Sequence, residues 1–271
     1  MKTLSHYSHG MLAKFIAGIA LGALGLNAAN AQVLPEIEKT RTLKVCIWPD
    51  YFGVTHRNPR NNALQGIDID LSRALARDLG AEVTYVETDF SRLLDDVQAR
   101  RCHIAMMAVG VTPQRQERVD FSLPYLRSDL YAVASRGNAQ VRRWEDIDRP
   151  GRVVVVQKGT FMEPVMQGLL KHARLESVLR PNEREREVES GRADVFITDY
   201  PYSRRVLASF EWASVIAPTR PVRLTDYAYA VPKGEAAWLA RVNAFVMQVR
   251  QDGRLADAAR RHDLLPIIVK D

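Results

Sequence analysis

Cysteine occurs only twice in the 271 residues, at Cys46 and Cys102. Neither has a histidine at ligand spacing, so they make no zinc site, and no metal or cofactor is implied. His56, His103, His172 and His262 have no patterned partners of the kind a nucleophile–base pair needs, and all four are read as solvent-exposed. Phosphate loops, low-complexity stretches and Gly/Ser linkers are absent. Apolar runs are short: the longest uncharged one, Phe15 to Leu26, falls below the roughly 20 residues of a comfortable bilayer span. Acidic residues are outnumbered only modestly, for a formal charge of +6. The arginines are scattered rather than gathered in the basic stripe that a nucleic-acid partner requires.

The remaining composition, 46% hydrophobic and 26% charged, is that of an ordinary globular chain. Its N-terminus differs in kind. Lys2 and Lys14 bracket a stretch without acids, the apolar run follows, and Ala29-Asn30-Ala31 fits the small-x-small rule for signal-peptide cleavage. Residues 1–31 are therefore expected to be a cleaved signal, with Gln32 as the mature start and a periplasmic address. Loss of Lys2 and Lys14 lowers the formal charge to +4. In an exported chain an even pair of cysteines favours a disulfide. Cys46 and Cys102 each lie at an expected strand, and two buried free thiols are the alternative.

Two rounds of alternating strands and helices follow. Thr42 to Trp48 reads as a strand, His56 to Gln65 as a polar loop, and Gly66 to Gly80 as a helix with Ile67, Leu71, Leu75 and Leu79 on one face. Glu82 to Glu87 is a strand, Ser91 to about Arg100 a helix, and Ile104 to Val111 a strand. After an extended segment at Leu130 to Ala134, four consecutive valines in Arg152 to Gln157 mark a strand buried on both faces. A helix runs from the Lys158-Gly159-Thr160 turn to about Ala173. Asn182 is placed to cap a charged helix from Glu183 to Ser190, and Ala193 to Thr198 is another buried strand. Asp226 to Val231 is extended, and helices Glu235 to Gln251 and Leu255 to Leu264 close the chain. The fold class is α/β, with two parallel-sheet lobes joined by two crossing strands. Lobe 1 is expected at 41–128 plus 228–268, and lobe 2 at 129–227. Ligands of such sheets collect beyond the carboxyl ends of the strands, where Arg115 and Asp199 both fall.

The stretch His103 to Tyr125 is the most informative. An apolar strand delivers the chain to a polar turn bearing Arg115, and a planar guanidinium there can grip a carboxylate through two parallel hydrogen bonds. Asp199, directly after the apolar Val195-Phe196-Ile197, is costly to bury unless a cation meets it; capping the next helix is its plainer use.

The chain resembles the extracellular solute-binding proteins of polar amino-acid ABC importers. The resemblance rests on Gly66-Ile67-Asp68-Ile69-Asp70-Leu71, Asp89-Phe90-Ser91, Val111-Thr112-Pro113-Gln114-Arg115, Phe121-Ser122-x-Pro124-Tyr125, Gly159-Thr160, and Gly191-Arg192-Ala193-Asp194 leading to Thr198-Asp199. It implies a two-lobed clamp (the type II periplasmic binding fold) that closes on an amino acid or small carboxylate and presents it, as a monomer, to ABC transporter membrane subunits. It assigns Arg115 to the ligand carboxylate and Asp199 to the ammonium. Tyr51 and Phe90 become aromatic walls, and Thr160 a donor at the turn. Trp48 stands where some basic amino-acid binders keep an acid, which argues against a strongly cationic ligand. Where the family pattern is Ser/Ala-Gly-Ile-Thr, this chain has Met107-Ala108-Val109-Gly110. Ala108 and Gly110 can therefore contribute only backbone groups, and the usual threonine hydroxyl is lost.

Cyclohexadienyl dehydratases share this resemblance and keep equivalents of Arg115 and Asp199. Their Gly-Gly-Thr-Asn-Glu run ends in a general acid, but here the run Lys158-Gly159-Thr160-Phe161-Met162-Glu163 puts Met162 at that position. A one-residue shift turns a helical side chain by about 100°, so Glu163 is expected to point elsewhere and the chain not to be an enzyme. A periplasmic sensor, or an accessory subunit of a dehydrogenase, is the third reading.

Overall fold

The computed structural model describes residues 32–180 and 182–270; the expected signal, residues 1–31, lies outside them. A short helix that the sequence reading lacks, α1 (Val33–Thr40), comes first and buries Val33 and Ile37. Strand β1 (Thr42–Ile47) follows. The segment read as a polar loop is largely paired: β2 (Asp50–Tyr51), β3 (Thr55–Arg57) and β4 (Leu64–Gln65) form a small antiparallel ribbon. Helix α2 (Ile67–Asp78) buries Ile67, Leu71 and Leu75, the face its periodicity predicts. Next come β5 (Glu82–Glu87), α3 (Leu93–Gln98) and β6 (Ile104–Gly110). Strands β5 and β6 flank β1 in parallel, and all seven residues of β6 are buried. Cys46 faces Ala105 across that pairing, which brings it to Cys102, and the two form a disulfide.

A single turn of helix, α4 (Pro113–Gln116), leads to β7 (Val119–Phe121) and β8 (Leu126–Ser128). The second lobe contains β9 (Leu130–Ser135), β10 (Val153–Gln157), α5 (Met162–Leu169), β11 (Arg174–Val178) and α6 (Glu183–Glu189). It continues with β12 (Val195–Asp199), α7 (Tyr200–Ser209) and β13 (Ala213–Ile216). Its sheet runs β11-β10-β12-β9-β13. Strand β14 (Thr225–Pro232) returns to the first sheet, which runs β5-β1-β6-β14-β7 with β8 also on β14. Helices α8 (Ala236–Gln251) and α9 (Arg254–Arg261) complete the chain.

Each sheet thus has a parallel centre, but the crossing segments are themselves strands. Strand β14 pairs antiparallel with β6, and β9 antiparallel with β12. Asp129 ties the two crossings together, its carboxylate accepting from the N–H groups of Val222 (2.9 Å) and Arg223 (2.7 Å). Local expectations are corrected at α5, at Asn182 and at three of the four histidines. Helix α5 ends at Leu169, leaving room for β11, an edge strand whose exposed Arg174 and half-buried Glu176 hide it from pattern reading. Asn182 does not cap α6; its backbone is left-handed (φ 58°), and its side chain accepts from Arg205 Nη2 (3.2 Å). His103 is fully buried rather than exposed. The unforeseen α1 covers it: Nδ1 accepts from the Lys44 N–H (3.1 Å) and Nε2 meets Glu36 Oε1 (3.1 Å). His262 is half-buried against Asp70 (3.0 Å), His56 is half-buried, and His172 is exposed as expected.

Candidate functional site

The carboxyl ends of β1, β6, β10 and β12 converge where the two lobes meet. Pro113 starts α4, and the Thr112 hydroxyl accepts from the Arg115 N–H (3.2 Å), which fixes the turn. The Arg115 guanidinium then reaches across. Nη1 donates to the Gly110 carbonyl on its own lobe (2.8 Å), and Nη2 to the Gly159 carbonyl on the other (3.0 Å). Its Cζ lies 5.6 Å from the centre of the Phe90 ring. Arg115 is 6% exposed and has no carboxylate within ion-pair distance among the described residues. Burial pulls its pKa down to about 10, so it stays charged at neutral pH.

Asp199 ends β12 and begins α7, 1% exposed. One oxygen caps the helix by accepting from the Tyr202 N–H (3.1 Å). The other accepts from the Tyr227 hydroxyl (2.7 Å) and from the Tyr51 hydroxyl. Of the two uses weighed for this residue, the helix cap is the one present. No cation lies within ion-pair distance of it among the described residues. Burial, followed by the neighbouring Asp199 charge, holds both tyrosines well above the usual phenol range, so they donate as neutral hydroxyls.

Trp48, Tyr51 and Phe90 stand together on the first lobe, with ring centroids 5.6, 5.6 and 5.9 Å apart. These are direct ring–ring contacts. In this closed arrangement the three rings make one wall, and Tyr51 and Phe90 do not face each other across a gap. Thr160 spends its hydroxyl and its N–H on the Gln157 carbonyl (2.7 and 3.3 Å), closing its own turn.

The departures at positions 108 and 110 have separate causes. Ala108 is left-handed (φ 47°), a conformation that costs a non-glycine residue about 1 kcal/mol. It is held there by its N–H, which donates to the buried Asp68 carboxylate (2.9 Å). Gly110 makes room for a ring: a Cβ there would lie 2.8 Å from Phe161 Cδ1. Phe161, on the opposite lobe, fills the place of the missing threonine side chain and meets the Tyr227 ring at 6.0 Å.

Gly159 packs closely against Ser91 across the lobes. Its φ is 78°, and a Cβ would come within 2.7 Å of Ser91 N and 2.8 Å of Ser91 Cα. We expect Gly159→Ala to cost about 1 kcal/mol through the left-handed backbone and to hold the lobes apart. Small-angle scattering should then give a larger radius of gyration than wild type; an unchanged radius would show that this contact does not limit closure.

Between the lobes a small space of about 20 Å³ remains, with Trp48, Phe90, Ala108, Thr160, Thr198 and Asp199 in its walls. That is room for about one water. A crevice of about 200 Å³ opens beside it, between Trp48, Asp50, Asp89, Phe90, Gln157 and Lys158. Six of the eight expected site residues line the smaller space; Arg115 and Gly110 line neither, and adjoin it through Phe90 and Phe161. Residues not foreseen include Phe161, Arg184 and Thr198 in its walls, and Tyr227, which reaches Asp199. The available signals were slight, a tyrosine in a buried strand and a bulky residue directly after Gly159-Thr160. Arg184 sits in an alternating charge run that looks like a solvated helix face. Among the described residues no group of three or more His, Cys, Asp or Glu could hold a metal, and no helix is long and apolar enough to cross a membrane.

Two mixed sheets bridged by crossing strands, with one buried charge contributed by each lobe where they meet, define a two-lobed solute-binding protein. The chain matches the family model of the bacterial extracellular solute-binding proteins, family 3, over residues 43–262. It belongs to that family. It is 28% identical to cyclohexadienyl dehydratase of Pseudomonas aeruginosa over 228 residues, covering 83% of this chain and 84% of the relative. It is 27% identical to a probable histidine-binding protein of Campylobacter jejuni over 182 residues, 67% of each chain. Among solved structures, an ancestral amino acid-binding protein, a precursor of cyclohexadienyl dehydratase, superposes with a TM-score of 0.77 at 30% identity, covering 84% of this chain and 98% of its own. Most of the curated relatives found are binding proteins rather than enzymes.

Proposed function

We propose that the protein captures an amino acid or related small carboxylate between its lobes and delivers it to the membrane subunits of an ABC importer. One observation carries this reading. Arg115 and Asp199 are buried, opposite in charge, on opposite lobes, and neither has an ionic partner among the described residues. An uncompensated buried charge is costly, and a zwitterion neutralises both at once. In this reading Arg115 turns from backbone carbonyls to the ligand carboxylate, and the ammonium displaces the Tyr51 hydroxyl from Asp199. Trp48, Tyr51 and Phe90 cover the body of the ligand. Thr160, Ala108 and Gly110 supply backbone groups around it. The moving bodies are the two lobes, with all of β14 going with the first because Thr225 to Tyr227 already pair with β8 and β6, and ligand favours the closed form because only that form brings both charges to it. Residues 1–31 direct the chain to the periplasm, where it works as a monomer.

We read the chain as non-enzymatic. Glu163, the carboxylate nearest the dehydratase general-acid position, accepts from the Gly159 N–H (2.9 Å) and so is folded onto its own loop. Release of phenylpyruvate from prephenate by the purified protein would overturn that reading. A sensor or accessory role would need the same capture step but no importer, and a transporter encoded beside the gene separates these outcomes.

The direct test is a thermal-shift screen of the chain from Gln32 against amino acids and small carboxylates. A ligand at 100 times its Kd adds about 2.7 kcal/mol, which raises the melting temperature by several degrees. Arg115→Ala should weaken that ligand at least about a hundredfold, because a desolvated guanidinium–carboxylate pair is lost. An equal response from wild type and Arg115→Ala defeats the assignment.

A further inference from the structure

We propose that the cleft holds a third recognition group, Arg184 with Thr198 beside it, which selects amino acids whose side chains end in an acceptor oxygen (a carboxylate or a carboxamide) and rejects basic ones. This rests on the reading of Arg115 and Asp199 as the holders of the ligand's backbone charges.

Arg184 opens α6 within the run Glu183-Arg184-Glu185-Arg186, yet Arg184 and Glu185 are only 4% and 3% exposed. The guanidinium lies 3.9 Å over the Tyr202 ring and 5.0 Å from the Phe196 ring centre. Stacking fixes its plane and leaves its edge for hydrogen bonding. Of its five N–H donors, Nε reaches Glu185 Oε1 at 3.2 Å and Nη1 the Ile197 carbonyl at 3.4 Å, both long. Arg184 also borders the small interlobe cavity, together with Thr198, Gln157 and Met162.

Thr198 provides the independent observation. It is fully buried in the wall of that cavity, and its hydroxyl has no hydrogen-bond partner among the described residues. Leaving a buried hydroxyl unpaired is costly, so the protein alone does not complete this end of the cleft. An acceptor oxygen entering there would receive the Thr198 hydroxyl and the open edge of Arg184. A lysine or arginine ligand would bring its cation against a buried guanidinium instead. Trp48, across the same cavity, supplies no acid to receive that cation. Glu185 balances the Arg184 charge, so a neutral carboxamide is admitted as well as a carboxylate. The cavity as it stands has room for only about one water-sized group; the side-chain tip takes it, and the lobes close around the rest of the ligand less tightly than they meet here.

Isothermal titration of wild type, Thr198→Val, Arg184→Met and Arg115→Ala with glutamate, glutamine, aspartate, asparagine, leucine, lysine and arginine tests this. We expect wild type to bind one of the four oxygen-tipped amino acids at least about tenfold more tightly than leucine, lysine or arginine. The acid and amide arms show which oxygen the site takes. Thr198→Val keeps shape and charge balance, and should weaken that ligand about three- to tenfold while leaving leucine unchanged. Arg184→Met should weaken it more; should that variant unfold, Arg184→Met with Glu185→Leu removes the stranded carboxylate and carries the same expectation. Preference for a basic or apolar amino acid, or an unchanged affinity in Thr198→Val and the Arg184 variants, overturns this assignment. If Arg115→Ala abolishes binding in that case, the amino-acid reading stands without it. Failure of wild type to bind any amino acid overturns both.

Discussion

Replacing Cys46 and Cys102 together by serine should lower the free energy of unfolding by about 4 kcal/mol, the chain-entropy value for a loop of this length. The bond spans 56 positions, so the unfolded chain loses much of its freedom when it is closed. The bond joins β1, a central strand of the first sheet, to the residue two before β6, and both cysteines are fully buried. Serine hydroxyls there would find an apolar setting and add their own desolvation cost. Chemical denaturation of the oxidised protein and the double variant, at one pH and without ligand, gives the difference directly. A loss below about 1 kcal/mol would mean that the sheet alone holds these strands in register. The second lobe carries no cysteine, so its local opening, followed by hydrogen exchange, should change far less.

The second large effect concerns pH. Asp68 is fully buried beneath Ala108, and burial pushes its carboxyl from an ordinary 3.8 up to about 7. Hydrogen bonds from the Tyr125 hydroxyl (2.5 Å), the Ala108 N–H (2.9 Å) and the Tyr229 hydroxyl (3.3 Å) pull the other way, as does His262 nearby. The folded state therefore binds a proton here that the unfolded state releases. The stability linked to this proton is complete below the unfolded value and is lost as pH rises through the folded value near 7. At about 1.36 kcal/mol per pH unit, the swing is at most about 4 kcal/mol. Asp68→Asn removes the titration. The advantage of wild type over Asp68→Asn should accordingly shrink by a few kcal/mol between pH 4 and pH 8. A difference that does not vary with pH would show that Asp68 stays ionised throughout. Because Asp68 holds Ala108 in its left-handed conformation at the cavity wall, ligand affinity should follow the same pH window.

These two residues show how unevenly a sequence displays its chemistry. The cysteine pair was readable as a disulfide candidate because each cysteine sat at an expected strand and the N-terminus reads as an export signal. Asp68 was readable only as part of a helix start, where an acid is ordinary. Nothing in its neighbours along the chain says that Tyr125 and Tyr229, from two distant segments, close over it. His103 failed for the same reason: a histidine at a strand start is usually wet, and only α1, folded across it, makes it dry.

The sequence by itself determined the two rounds of strands and helices, though not α1, the β2–β4 ribbon, β11 or β13, and the positions of Arg115 and Asp199 beyond strand ends. Those features follow from local periodicity and from the rule that polar residues after a buried strand emerge at its carboxyl edge. Only the tertiary structure decided what those residues face. It brought Tyr51 and Tyr227 to Asp199, set the Phe161 ring in the space left by Gly110, and buried Arg184 out of a run of charges that reads as solvated. Such pairings join residues 28 to 148 positions apart in the chain. They are set by how the two sheets meet, which no local pattern encodes, because burial is a property of the packed pair of surfaces rather than of either one.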